Sequence, residues 1–100
     1  MENSQIYSTI GLAMRAGKIV SGEMVLNAIR NNQAKLVLIA KDASENTIKK
    51  YTDKCTYYKI PFCFLESSES LSKSIGKENR KVIAICDNGF ANSINKHLKG

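Results

Sequence analysis

A run of five apolar residues, Leu36–Ala40, constrains the fold of this chain more than any other feature of its sequence. Because the run contains no polar side chain, both faces of the strand that it predicts must be covered, as in the middle of a sheet flanked by helices. Just before it, Val25, Ala28 and Ile29 recur at helical spacing. The stretch 21–44 is therefore predicted to form a helix, a turn, a buried strand and the start of another helix.

The remaining sequence alternates short helical patterns with short strands. Strands are predicted at 18–20, 62–65 and 82–86, in addition to the central one at 34–40. The polar residues expected to cap the starts of helices are Asn3 or Ser4, Ser21, Asp42 or Ser44, Ser67 or Ser68, and Asp87 or Asn88. This alternation predicts an α/β fold, namely a three-layer α/β/α sandwich with a mixed, mainly parallel sheet of about four strands.

The size and charge of the chain limit its organisation and its partners. One hundred residues, 43% of them hydrophobic, are enough for a single domain over residues 1–100 with one core. The formal net charge of +6 favours association with a polyanion. The alternative at this point is that the charge serves only solubility.

Signatures of catalysis and of cofactor binding are absent from the sequence. Its one histidine, His97, is three residues from the end, and no two of Cys55, Cys63 and Cys86 have Cys-x-x-Cys spacing. No nucleotide-binding glycine loop follows a predicted strand. We therefore expect no enzyme activity, catalytic residue, metal or cofactor, and we interpret the cysteines as small core hydrophobes in a reducing compartment.

The start of the chain indicates where the protein resides. Met-Glu-Asn-Ser-Gln contains no basic run followed by an apolar stretch, and no apolar segment approaches ~18 residues. A soluble, cytoplasmic protein without a membrane partner is expected, and we expect it to be a monomer.

Two polar stretches at predicted helix starts and loops form the candidate binding site. The first comprises Ser21, Gly22, Glu23 and Asn27, and the second comprises Glu66, Ser67, Ser68, Gly76, Lys77 and Arg80. Taken singly, they are explained as turns and helix caps. Together they suit structured RNA, because helix amides and basic side chains bind phosphates while Glu and Asn bond to exposed base edges. We expect the two stretches to meet in one cationic, hydrogen-bonding surface.

Several longer motifs resemble a known family. They are Gly11-Leu-Ala-Met-Arg-Ala-Gly-Lys18, Val20-Ser-Gly-Glu23, Ala34-Lys-Leu-Val-Leu-Ile-Ala40, Asp42-Ala-Ser-Glu-Asn-Thr47, Ile75-Gly-Lys-Glu-Asn-Arg80 and Asp87-Asn-Gly-Phe-Ala91. In this order they resemble the kink-turn RNA-binding ribosomal proteins of the L7Ae and L30e type, and within them the bacterial YlxQ-like branch. The resemblance implies an α/β/α sandwich that binds RNA through the start of its second helix and through the loop after the strand ending near Leu65. Structured RNA, including ribosomal RNA or the ribosome, is the implied partner.

The sequence departs from the family pattern at the helix start. In the wider family, Gly, any residue, Asn and Glu engage the sheared G·A pairs, and a Lys follows three residues later. Counted back without a gap from Ala28, this chain has Ser-Gly-Glu-Met at 21–24, with Asn27 in place of the Lys; a one-residue shift matches Gly22 to the family glycine instead. In the second loop Ser68 stands where Lys is common.

The resulting hypothesis assigns a role to each candidate residue. Phosphates are neutralised by Lys18, Lys77 and Arg80, and base edges are contacted by Glu23 and Asn27. Ser21 and Gly22 begin the helix and let the backbone approach the RNA. Ser67 and Ser68 complete the second wall of the binding surface. The rival hypothesis is a protein-interaction adaptor that uses the Tyr51, Tyr57 and Tyr58 region and has only nonspecific RNA affinity. Charge reversal at Lys77 and Arg80 distinguishes the two, because only RNA binding depends on those cations.

Overall fold

Four strands form one mixed sheet between two layers of helices in the computed structural model, which describes residues 4–99. The elements in chain order are α1 (Ser4–Arg15), β1 (Ile19–Ser21), α2 (Met24–Arg30), β2 (Leu36–Ala40), α3 (Glu45–Tyr57), β3 (Phe62–Leu65), α4 (Ser68–Ser74), β4 (Val82–Ile85) and α5 (Asn88–Lys99). Each predicted strand is present, with its bounds shifted by at most two residues.

The strands are ordered β1, β4, β2, β3 across the sheet. β2 runs parallel to β3, but β4 is antiparallel to both β1 and β2. The α/β/α sandwich and the mixed sheet of four strands are confirmed. Three of the four strands run in one direction, and two of the three pairings are antiparallel because the reversed strand, β4, lies between β1 and β2. β4 is reversed because the chain leaves β3 at one edge of the sheet, passes through α4 and the loop 75–81, and enters β4 at that same edge.

The central strand separates two cores. All five residues of β2 are buried, and their side chains alternate between the faces of the sheet. Leu36 and Leu38 pack with residues of α1, α4 and α5, while Val37 and Ile39 pack with residues of α2 and α3. The continuous apolar run therefore requires a helical layer on each side, as its sequence predicts.

The cysteines are free thiols, and one of them is a core residue. Cys55 is fully buried on the inner face of α3, and burial raises the pKa of its thiol to about 11. It is therefore a neutral, small apolar group, in agreement with the prediction. Cys63 and Cys86 are only half-buried.

The helix caps agree only partly with the predictions. Ser44 and Ser67 cap α3 and α4, each accepting a hydrogen bond from backbone amides of the first turn. Ser21 does not cap α2, because it is still paired with Ile83 in β1 and a turn at Gly22, with a φ of 64°, precedes the helix. The N-cap position of α2 is occupied by Glu23, whose side chain makes no capping bond. The alternative first cap, Asn3, lies outside the described residues.

We predict that Ser44→Ala destabilises the protein by about 1 kcal/mol, because it removes the acceptor for the Thr47 amide at the start of α3. Ser21→Ala is the matched control and should change the free energy of unfolding by less than about 0.5 kcal/mol. Urea denaturation of both variants measures the difference. A larger loss from Ser21→Ala than from Ser44→Ala would contradict this assignment of the caps.

Candidate functional site

Four chain segments meet at one edge of the sheet, which we call the upper rim: 21–23, 41–44, 66–68 and 76–81. Backbone bonds hold them side by side. The Ala40 amide donates to the Lys81 carbonyl at 2.8 Å, and the Lys41 amide donates to the Leu65 carbonyl at 2.7 Å. The structure thus brings the two stretches of candidate residues to the same edge.

A charged network connects three of these segments. The Ser68 hydroxyl donates to Asp42 Oδ2 at 2.7 Å, the Ser68 amide donates to Asp42 Oδ1 at 3.0 Å, and Lys81 Nζ donates to the Ser68 hydroxyl at 3.0 Å. Lys81 Nζ also lies 3.8 Å from Asp42 Oδ2. Asp42 was predicted to cap the helix that follows it, but its carboxylate instead caps α4 across the rim.

The hydrogen bond from the Ser68 hydroxyl, together with the Ser68 amide and the Lys81 ammonium, holds the pKa of the Asp42 carboxyl below its ordinary value of 3.8. Desolvation opposes this shift but does not cancel it. Asp42 is therefore ionised in the folded protein at neutral pH. Its charge keeps the loop after β2 attached to the start of α4.

The loop after α4 is held by a buried serine. The Ser72 hydroxyl accepts a hydrogen bond from the Arg80 amide at 2.8 Å and donates to the Arg80 carbonyl at 3.1 Å. Gly76 and Asn79 both have positive φ, which reverses the chain between these points. The Arg80 backbone is consequently fixed, whereas its side-chain Nε is buried and has no hydrogen-bond partner among the described residues.

A cleft of about 220 Å³ joins the start of α2 to this loop. Its wall is formed by Gly22, Thr47, Lys50, Tyr51, Asn79, Arg80, Lys81 and Val82. The Tyr51 hydroxyl donates to the Gly22 carbonyl at 3.5 Å. Burial, and secondarily the charge of Glu23, raises the pKa of Tyr51, so its hydroxyl remains a donor. A second, more open cavity shares Asn79 with the cleft and is lined by Ser68 and Lys77.

The predicted site residues differ in how they are placed. Glu23, Asn27 and Lys77 are exposed at or near the rim. Ser67 is half-buried, and its hydroxyl caps α4. Ser68 is only 8% exposed, and its hydroxyl is already bonded to Asp42 and Lys81, so this hydroxyl positions the loops.

Lys18 is not part of the upper rim. It precedes β1, and its carbonyl accepts the Cys86 amide at the far end of β4. Lys41 and Lys81 are rim residues that the sequence pattern did not single out, and Tyr51, named there only for the adaptor hypothesis, lines the cleft. Their sequence signals are weak, since each is a single polar residue beside a strand or on an inner helix face.

The charge of the upper rim also differs from expectation. Its four segments contain four cations and four carboxylates. The cations are Lys41, Lys77, Arg80 and Lys81, and the carboxylates are Glu23, Asp42, Glu66 and Glu78. The expected cationic surface is therefore formally neutral, although rich in donors and acceptors.

Other kinds of site find little support in residues 4–99. No group of three His, Cys, Asp or Glu side chains within that range is placed to hold a metal ion. No helix in the same range is long and apolar enough to cross a membrane. In the tyrosine region only Tyr57, 79% exposed, is available to a partner, since Tyr51 is buried and Tyr58 is half-buried.

Comparisons of the sequence with known proteins agree on one family. The family model described as ribosomal protein L7Ae/L30e/S12e/Gadd45 matches residues 4–95. The RNA-binding protein YlxQ of Bacillus subtilis is 54% identical over 95 residues, which cover 94% of this chain and 95% of that protein.

Two solved structures share the fold. A Bacillus halodurans protein described as having unknown function has a TM-score of 0.93 at 35% identity, covering 98% of this chain and all of its own. A 15.5 kDa RNA-binding protein of Giardia lamblia has a TM-score of 0.78 at 18% identity, covering 99% of this chain and 89% of its own. The second similarity supports the fold alone.

We predict that Asp42 makes stability depend on pH at the acid end. Because its folded-state pKa is lowered, the stabilisation is present above the ordinary value of 3.8 and is lost as the pH falls through the folded-state value. Asp42→Asn should flatten this part of the curve of unfolding free energy against pH. Asp53→Asn, at an exposed position of α3, is the control. Equal acid sensitivity in wild type and Asp42→Asn would contradict the prediction.

Proposed function

The chain belongs to the ribosomal protein L7Ae/L30e/S12e/Gadd45 family and to its bacterial YlxQ-like branch, and on this premise we propose that it binds structured RNA through the upper rim. The Bacillus subtilis relative is named as an RNA-binding protein and not as an enzyme. The protein is non-catalytic. The proposal takes residues 1–100 as one RNA-binding domain that acts in the cytoplasm as a monomer.

The observation that carries the proposal is the cleft between Gly22 and Arg80. Arg80 Nε is a buried donor without a partner among the described residues, and leaving such a donor unpaired costs about 1–3 kcal/mol. Turning the Arg80 side chain toward a phosphate or base acceptor in the cleft would satisfy it. Lys50 and Lys81 line the same cleft and would neutralise an anion there.

The composition of the rim favours a folded RNA over a single strand. No Phe or Trp lines the two rim cavities, and the one Tyr, Tyr51, is buried, so a stacking platform for unpaired bases is absent from them. The rim instead presents carboxylates, amides and cations in fixed loops. We therefore propose kink-turn-like RNA as the ligand, with ribosomal RNA as its source.

In this proposal each rim residue has a defined role. The Gly22 backbone approaches the RNA closely, and Glu23 and Asn27 accept or donate hydrogen bonds at exposed base edges. Lys77 and Arg80 contact phosphates. Asp42, Ser67, Ser68 and Ser72 hold the loops in register without having to touch the RNA.

We predict tighter binding to a kink-turn RNA than to the same RNA with its G·A pairs replaced, by about tenfold or more, because the base-edge contacts are lost. Gel-shift titrations of both RNAs at one salt concentration measure the ratio. Equal affinity would reduce the proposal to nonspecific RNA binding.

We further predict that combining Lys77→Glu with Arg80→Gln weakens kink-turn binding about a hundredfold or more, since each of the two lost charged contacts contributes roughly 1.5–3 kcal/mol. The control combines Lys49→Glu on α3 with Lys96→Gln on α5, two exposed positions, and changes the net charge equally. Circular dichroism would verify that both variants fold. If the control lost as much affinity as the rim variant, net charge rather than the rim would explain the binding.

A further inference from the structure

The opposite edge of the sheet carries a net positive charge. We call it the lower rim, and it comprises segments 16–18, 31–35, 58–61 and 86–87. It contains three cations, Lys18, Lys35 and Lys59, and one carboxylate, Asp87. Asp87 Oδ2 accepts the Phe90 amide at the start of α5, so this carboxylate is already engaged. The upper rim, in contrast, is formally neutral.

Backbone bonds place the three lysines in a row. The Cys86 amide donates to the Lys18 carbonyl and the Lys35 amide to the Ile85 carbonyl, both at 2.7 Å. Lys18 and Lys35 therefore flank the end of β4, two strand spacings or about 10 Å apart. The Val37 amide donates to the Pro61 carbonyl at 3.0 Å, which places the loop containing Lys59 beyond Lys35 in the same direction.

An open polar cavity of about 470 Å³ lies between Lys18 and Lys35. Asn32, Gln33 and Cys86 complete its lining together with Gly17 and Val20. Lys18, Asn32, Gln33 and Lys59 are exposed. Arg15 and Arg30, the last residues of α1 and α2, are exposed next to this rim and enlarge the positive surface.

We propose that the lower rim binds the phosphate backbone of a second RNA segment while the upper rim holds a structured RNA. The inference rests on the proposed RNA binding and extends it to a protein that joins two RNA segments at opposite ends of the sheet. Cations in a row without competing carboxylates suit sequence-independent phosphate contacts, and each such contact makes binding depend on salt. Arg15 and Arg30 also complement the carboxyl ends of their helices, but Lys18 and Lys35 directly precede strands.

The test compares wild type with a variant that combines Lys18→Gln, Lys35→Gln and Lys59→Gln. The control is the Lys49→Glu and Lys96→Gln pair, which removes the same net charge. Two probes are used separately: a short kink-turn RNA and a fully paired RNA duplex. Affinities are measured between about 50 and 200 mM salt. If the triple variant does not fold, a double variant, Lys18→Gln with Lys59→Gln, replaces it, because this variant preserves the bond from Lys35 Nζ to the Asn32 carbonyl.

For the duplex, the triple variant should reduce the steepness of the slope of log affinity against log salt by about 2.7, since three phosphate contacts are lost. Its binding of the short kink-turn RNA should remain within about twofold of wild type. In a mixture, wild type should retain labelled duplex on immobilised kink-turn RNA, and the triple variant should not.

Other outcomes separate this inference from the proposed function. Equal salt slopes for the triple variant and wild type would overturn the inference while leaving kink-turn binding intact. Absence of kink-turn preference, with duplex binding still lost in the triple variant, would overturn the proposed upper-rim function and support the lower rim. Anionic lipid vesicles serve as a third probe. If the triple variant lost binding to these vesicles while its duplex binding stayed unchanged, RNA would be overturned as the partner of this rim.

Discussion

The burial of β2 on both faces is the constraint on which the rest of the structure depends. Its five residues supply side chains to two cores, so α1, α4 and α5 must cover one face and α2 and α3 the other. Because both faces of the sheet are covered, the strand ends are where the sheet meets its connecting loops at the surface. The loops at these two edges contain the two binding surfaces that we propose.

Each loop of the upper rim is held by a bond to another part of the chain. Asp42 and Lys81 hold Ser68, Ser72 holds the Arg80 backbone, and the Tyr51 hydroxyl reaches the Gly22 carbonyl. Loops fixed in this way lose little conformational entropy when a ligand binds, which improves affinity without additional contacts. The exposed ion pair between Lys81 and Asp42 contributes little by itself; its value lies in orienting Ser68.

Acidic residues lie at the amino ends of several helices, and basic residues lie at the carboxyl ends of others. α2, α3 and α4 begin at the upper rim, where carboxylates such as Glu45 and Glu69 complement the amino ends. The carboxyl ends of α1 and α2 lie toward the lower rim and carry Arg15 and Arg30. The edge that we propose to bind structured RNA is consequently rich in hydrogen-bonding groups but not in net charge. The electrostatic attraction of a chain with a net charge of +6 has to originate elsewhere.

The sequence by itself determined the elements, the buried faces and the family. These depend on spacing along the chain, as in the apolar run Leu36–Ala40, the stop at Gly17 and the break at Pro61. Only the tertiary structure decided the direction of β4, the pairing of Asp42 with Ser68, and the location of Lys18 at the lower rim. Asp42 and Ser68 are 26 positions apart, and local patterns of hydrophobicity and capping contain no information on which distant residues meet. That information arises from packing, which brings the loop after β2 and the start of α4 to the same rim.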